Sequence, residues 1–299
     1  MKKINLLLNN RTVFKVYGSD CIEFLNTIVT SDLKMLKNNE AVPSALLSPQ
    51  GRVLFDMLIS INETQNDKDK CCLNIECDKK QANELIQRIN LYNLRKEIEI
   101  INTNLSVFIT NEKNKHSNTF LDKRFFDMEI RRIYTNKKNI LIRQNNRDLY
   151  DFVRFKNSIL EGPYEIKPNT TLPLEINLDL LGGMSFNKGC FIGQEVNARV
   201  KWKGLIKKKC VPVKFKYKKS SILDLEKIKD RRIFLDEIEI GELVSTTVKT
   251  FEGYFYGVAK IKLAQLYLFE KNKNLKGNFL GSSVNIIFPN FLLPLPKKM

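Results

Sequence analysis

Residues 187–195 read N-K-G-C-F-I-G-Q-E. One cysteine, Cys190, stands between Gly189 and Gly193, with Lys188 just before it and Gln194 and Glu195 just after. Glycine permits torsions closed to other residues and lets a ligand or a second backbone approach closely. If Lys188 and Arg199 lie nearby in space, they lower the thiol pKa and raise the fraction of thiolate, the nucleophilic and metal-binding form. The segment C-terminal to the cysteine reads two ways. Ile192, Val196 and Val200 step by four, as on a helix, whereas Val196, Ala198, Val200 and Trp202 step by two, as on a strand. A helix starting near Gly193 sets the positive end of its dipole by the sulfur; a strand does not. From spacing alone, a tight turn around a buried small thiol is an equal reading.

The other reactive residue types narrow the chemistry. The six cysteines stand at 21, 71, 72, 77, 190 and 210, with no C-x-x-C pair, and His116 is the single histidine. That argues against a zinc site. A Ser-His or Cys-His pair would have to use His116, which sits in the polar run NEKNKHSNTF and reads as a solvated loop. Cys71, Cys72 and Cys77 lie in the strand-like CCLNIEC, where core packing is the expectation.

The elements that position these residues emerge from pattern. Residues 13–17 read as a strand broken by Gly18. Asp20 and Glu23 resemble a capping box, ahead of Leu25, Val29 and Leu33 at helical spacing. Two apolar runs flank Pro49-Gln50-Gly51, the signature of a turn between strands. Asp78 is expected to cap a helix through ANELIQRINLY, and KEIEII returns as a strand. Residues 111–124 and 133–139 read as loops, 149–160 as a helix, and Pro163, Pro168 and Pro173 punctuate an irregular stretch. After about residue 205, short alternating runs separated by Gly241, Gly253 and Gly281 predict a β-barrel or sandwich. The whole is α+β rather than doubly wound, divided into residues 1–204 and 205–299.

With 299 residues, 43% of them hydrophobic, the chain is globular, and no apolar run approaches the length of a membrane span, so no membrane partner is expected. The formal charge of +17 has two readings. One is a polyanionic partner such as RNA; the other is the Lys, Asn and Ile enrichment of an AT-rich genome. A basic stripe, R-V-K-W-K-G-L-I-K-K-K at 199–209, survives that discount. The chain begins almost at its first strand, which favours a bacterial cytoplasm, with the mitochondrial matrix as the alternative.

Three stretches together resemble the YgfZ family of folate-binding proteins, relatives of the glycine-cleavage aminomethyltransferase GcvT. They are K-G-C-F-I-G-Q-E-V-N-A-R at 188–199, R-T-V-F-K-V-Y-G-S-D-C-I-E-F-L-N-T-I-V-T-S-D-L at 11–33 with A-L-L-S-P-Q-G-R-V-L-F-D behind it, and L-P-L-E-I-N-L-D at 172–179. The resemblance implies an α+β folate-binding region of two intertwined subdomains followed by a C-terminal β-barrel. It also implies a tetrahydrofolate-dependent role in assembly or repair of iron–sulfur proteins, especially those with 4Fe-4S clusters. Cys190 is then the functional thiol and a ligand of a transient 2Fe-2S cluster shared with an A-type scaffold protein. Glu175 matches the glutamate that grips the pterin, whose adjacent N–H donors suit a bidentate carboxylate. Asp179, Arg95, Arg199, Lys188 and Gln194 are further candidates for the cofactor's polar parts. The Asp-Asp pair of the aminomethyltransferases is Phe55-Asp56 here. Asp56 is the residue expected to assist one-carbon transfer if the chain is instead an aminomethyl- or methyltransferase acting on a small amine or on RNA, as in tRNA modification. The signature's usual tyrosine is Phe191, which removes a hydroxyl.

Overall fold

The computed structural model describes residues 3–62, 70–94, 97–113, 116, 118–136, 147–217 and 222–296. The chain forms two compact units. The first takes residues 1–146, 161–173 and 181–196; the second takes 147–160, 174–180 and 197–299.

The first unit carries β1 (Asn5–Leu7), β2 (Arg11–Gly18), α1 (Cys21–Ile28), β3 (Glu40–Leu47), β4 (Val53–Ile61), β5 (Cys71–Asp78), α2 (Ala82–Tyr92), β6 (Ile98–Asn102), β7 (Ser106–Thr110), β8 (Thr119–Asp122) and β9 (Arg131–Thr135). They make a nine-stranded sheet in the order β1-β7-β9-β8-β3-β4-β5-β2-β6. β3 and β8 pair in parallel, and the other pairings are antiparallel. The core is built from alternate residues, such as Phe55, Met57 and Ile59 of β4, packed against Phe24, Leu25 and Ile28 of α1. In β4 this alternation leaves Asp56 on the other face, half-buried.

β3 and β4 are the hairpin that Pro49-Gln50-Gly51 announces: Ser48 N donates to Arg52 O at 2.8 Å and Gly51 N to Ser48 O at 2.8 Å. Asp78 behaves differently from expectation. It ends β5, its carboxylate accepts from Lys80 N at 2.9 Å, and α2 begins only at Ala82. Asp20 does occupy the N-cap position of α1, but without a side-chain capping bond. The loop reading stands at 111–113, and 137–139 lie outside the described residues, but β8 and β9 overturn it at 119–122 and 133–135. Their polar look comes from Asp122, Arg131 and Arg132, and two of these are fully buried charges neutralised by partners from other strands.

The second unit holds α3 (Arg147–Lys156), and its barrel strands are β10 (Lys208–Phe215), β11 (Arg232–Leu235), β12 (Ile238–Thr246), β13 (Phe255–Lys262), β14 (Gly277–Phe279) and β15 (Ser282–Ile286). They close in the order β10-β13-β12-β11-β14-β15, with β15 returning to β10 through Val213↔Ile286. Val211, Val213 and Phe215 alternate into the barrel core beside Phe255, Phe279 and Val284. The short helix α4 (Gly162–Glu165) lies in the first unit, and α5 (Gln194–Trp202) comes after the cysteine signature. α6 (Leu263–Lys271) comes directly after β13. The barrel unit thus reaches beyond 205–299, taking in α3 and residues 174–180. No helix among the described residues is long and apolar enough to cross a membrane.

Candidate functional site

Cys190 is exposed, on a loop that Lys188 and Gly193 hold against the rest of the first unit. The Lys188 ammonium donates to three carbonyls, Asn26 O at 2.7 Å, Val29 O at 2.5 Å and Ser31 O at 2.7 Å. These lie at and just beyond the C-terminal end of α1, where a cation meets unpaired carbonyls and the negative end of the dipole. Burial pushes Lys188 down to about 8, against the pull of Asp32. Phe191 is buried with the Lys188 ammonium 4.8 Å above its ring. Its N–H donates to Gln194 Oε1 at 3.3 Å, and Gln194 N donates back to Phe191 O at 3.1 Å.

Gly193 has φ +76°, and a Cβ there would lie 2.6 Å from Ser48 O and 2.9 Å from Gly51 Cα. The loop's backbone therefore rests directly on the Pro49-Gln50-Gly51 turn, and only glycine allows the approach. Gly189 faces open space. The segment from Gln194 onward is a helix, which resolves the ambiguity of its periodicity.

Asp56 stands in a different setting. Its Oδ2 accepts from Arg11 Nη1 at 3.2 Å and its Oδ1 from Gly162 N at 3.0 Å. Arg11 also donates to Glu76 Oε1 at 2.9 Å, and Arg132 donates to Glu76 Oε1 at 2.8 Å, Asp122 Oδ2 at 3.0 Å and Glu161 Oε1 at 2.7 Å. Arg124 reaches Asp122 and Glu161 at 2.6 Å each, and Tyr134 donates to Glu76 Oε2 at 3.0 Å. Three arginines thus face four carboxylates in a buried cluster. Burial raises the Asp56 pKa; Arg11 opposes this and Glu161 adds to it.

In the second unit, Glu175 lies beside β10 and β13. Its carbonyl accepts from Cys210 N at 2.7 Å, and its half-buried carboxylate is 3.9 Å from Lys260 Nζ. Asp179 Oδ2 accepts from Lys201 Nζ at 3.0 Å; its Oδ1 is buried and, like Oδ1 of Asn177, has no hydrogen-bond partner among the described residues. A buried acceptor left unpaired costs roughly 1–3 kcal/mol, so both atoms suit N–H donors from a ligand. Lys209, 1% exposed, donates to Leu174 O at 2.9 Å, and burial lowers its pKa.

Comparison with known proteins adds a relationship to this geometry. No family model matches the chain. The mitochondrial iron–sulfur cluster assembly factor IBA57 homolog of Dictyostelium discoideum is 28% identical over 257 residues, covering 71% of this chain and 63% of that protein. The mitochondrial IBA57 factor of Mus musculus is 30% identical over 234 residues, covering 69% of this chain and 65% of that protein. The chain therefore spans a little under two thirds of the length of these relatives. A glycine cleavage system aminomethyltransferase T from Bartonella henselae shares the fold, with a TM-score of 0.70 and 15% identity over 97% of this chain and 86% of that one. The chain's homologues are IBA57 proteins, and its fold is GcvT-like.

Within this IBA57-like, GcvT-like chain the candidates separate. Cys190, Lys188 and Gln194 share one loop, with Lys188 and Gln194 holding it from within. Lys188 points at the carbonyls at and just beyond the end of α1. Asp56 lies in the charge cluster. Glu175 and Asp179 belong to the second unit, as does Arg199, which is exposed on α5. Arg95 lies outside the described residues. The basic stripe is thinner than its sequence: Lys201 is paired with Asp179 and Lys209 is buried. Sequence reasoning missed Arg11, Glu76, Asp122, Arg124, Arg132 and Glu161. Charged residues at alternate strand positions are the available signal, and taken alone they look solvated.

Proposed function

We propose that the chain is a folate-binding factor in iron–sulfur cluster assembly or repair, with Cys190 as the thiol that meets the cluster. The observation that carries this reading is the loop at 188–194. Lys188, Phe191, Gly193 and Gln194 fix its backbone, while Cys190 faces solvent. Thiolates are the usual cluster ligands, and one thiolate does not hold a cluster alone. The cluster is therefore cargo, a 2Fe-2S unit shared with an A-type scaffold protein on its way to 4Fe-4S enzymes of the aconitase and radical-SAM kinds. The assembly role in the names of the IBA57 relatives supports this, and their mitochondrial names favour the mitochondrial matrix over the bacterial cytoplasm.

Tetrahydrofolate fits the acceptors of the second unit. Glu175 and the unpaired Oδ1 atoms of Asp179 and Asn177 match the N–H donors of a pterin. Lys188 and Gln194 are engaged in the loop and are not needed for the ligand. One-carbon transfer to an amine or RNA is less well supported, because both Asp56 oxygens already have partners in Arg11 and Gly162.

The test is complementation. Cells lacking the protein are supplied with wild type or Cys190→Ser, and aconitase and radical-SAM activities are measured. Wild type should restore them and Cys190→Ser should not, with both proteins equally abundant. Equal rescue would remove Cys190 from the function. Unchanged activities on deletion would move the assignment to one-carbon transfer.

A further inference from the structure

Two other cysteines form a site with its own chemistry, independent of Cys190. Cys21 opens α1 immediately after β2, and Cys71 opens β5, opposite Gly18 in the β2–β5 register. The short turn from Gly18 into α1 brings the two together. The Cys21 thiol donates to Cys71 O at 3.3 Å, which sets the two residues side by side. Cys21 is fully buried and Cys71 is partly exposed.

We propose that Cys21 and Cys71 are a peroxide-oxidised dithiol, in which Cys71 attacks and Cys21 resolves. Exposure assigns the roles, since an oxidant reaches Cys71 first and Cys21 waits behind it. The neighbouring Cys21 side chain also lowers the Cys71 pKa, against partial burial, while Cys71 and burial raise that of Cys21. The other buried thiols differ. Burial pushes Cys72 up to about 11, and Cys77 and Cys210 up to about 12.

The reaction balances with hydrogen peroxide as oxidant. The Cys71 thiolate attacks one peroxide oxygen; an S–O bond forms, the O–O bond breaks, and the leaving hydroxide takes a proton to become water. The Cys21 sulfur then attacks the Cys71 sulfenic acid. An S–S bond forms, the S–O bond breaks, and the Cys21 proton leaves in a second water. One peroxide and two thiols give one disulfide and two waters.

The experiment uses the full chain carrying Cys190→Ser, so that the exposed thiol does not report. The protein is treated with stoichiometric hydrogen peroxide, remaining thiols are alkylated, and an unreduced tryptic digest is analysed by mass spectrometry. The expected product joins residues 16–34, which hold Cys21, to residues 71–79, two hydrogens lighter than the sum and lost on reduction. Cys72→Ser should keep this link and Cys71→Ser should abolish it. Cys21→Ser should leave a Cys71 sulfenic acid that dimedone labels. A link that survives Cys71→Ser, or a Cys71 that is over-oxidised with no link in the parent protein, overturns the proposal. The parent digest decides even if one variant folds poorly.

Discussion

At the scale of single residues, the loop at 188–194 leaves one thiol, that of Cys190, exposed. Two glycines flank Cys190, yet the structure gives them unequal duties. Gly193 holds a left-handed φ against the Ser48–Gly51 turn, and Gly189 meets nothing. Gly193→Ala should therefore cost roughly 1–3 kcal/mol, from a strained φ and a Cβ driven into backbone. Gly189→Ala should change stability by less than about 0.5 kcal/mol. Urea midpoints of the two variants check this, and equal costs would mean that the loop does not rest on the turn. Both the loop and the Pro-Gln-Gly turn are legible in the sequence. That they touch is not, because a need for glycine set by a neighbour far along the chain leaves no local pattern.

At the scale of elements, the charge cluster explains which strands the sequence hides. β4, β5 and the barrel strands are legible because their apolar residues alternate. β8 and β9 are not, because Arg132, which pairs with Asp122, also finds partners in Glu76 and Glu161 that no short window contains. The cluster also has a pH signature. The folded Asp56 pKa lies above the ordinary aspartate value of 3.8, chiefly through burial. The folded state thus holds that proton more tightly than the unfolded chain. The resulting stability is fully present below 3.8 and is lost as pH rises through the folded value. Asp56→Asn removes the titration. Asp122, lowered chiefly by Arg124 against its own burial, is common to both proteins and cancels in the comparison. The stability of Asp56→Asn relative to wild type should therefore improve from pH 4 toward pH 7, as read from urea midpoints, and parallel profiles would contradict the shift.

At the scale of the whole molecule, the change of texture near residue 205 finds the barrel but not the unit that contains it. Lys209 looks like one more cation of a solvated stripe, yet it is buried and bonded to Leu174 O. Cys210 N donates to Glu175 O, and Cys210 O accepts from Ser158 Oγ at 2.9 Å and Asn177 Nδ2 at 2.8 Å. α3 lies against β10, β12 and β13, where Phe152 stacks on Phe251 at 4.6 Å and meets Tyr256 edge-on at 4.6 Å. A fragment of residues 205–299 lacks every one of these partners. It leaves a buried ammonium without its carbonyl and an aromatic face uncovered, and each buried polar group left unpaired costs roughly 1–3 kcal/mol. Such losses rival the total stability of a small domain, about 5–15 kcal/mol. The fragment should therefore show no cooperative urea transition and weak near-ultraviolet circular dichroism. A second-unit protein that joins 147–160 and 174–180 to 197–299 should recover both signals. A cooperative transition in the short fragment would mean that the six strands close without the earlier segments, and that Lys209 has another way to satisfy its charge.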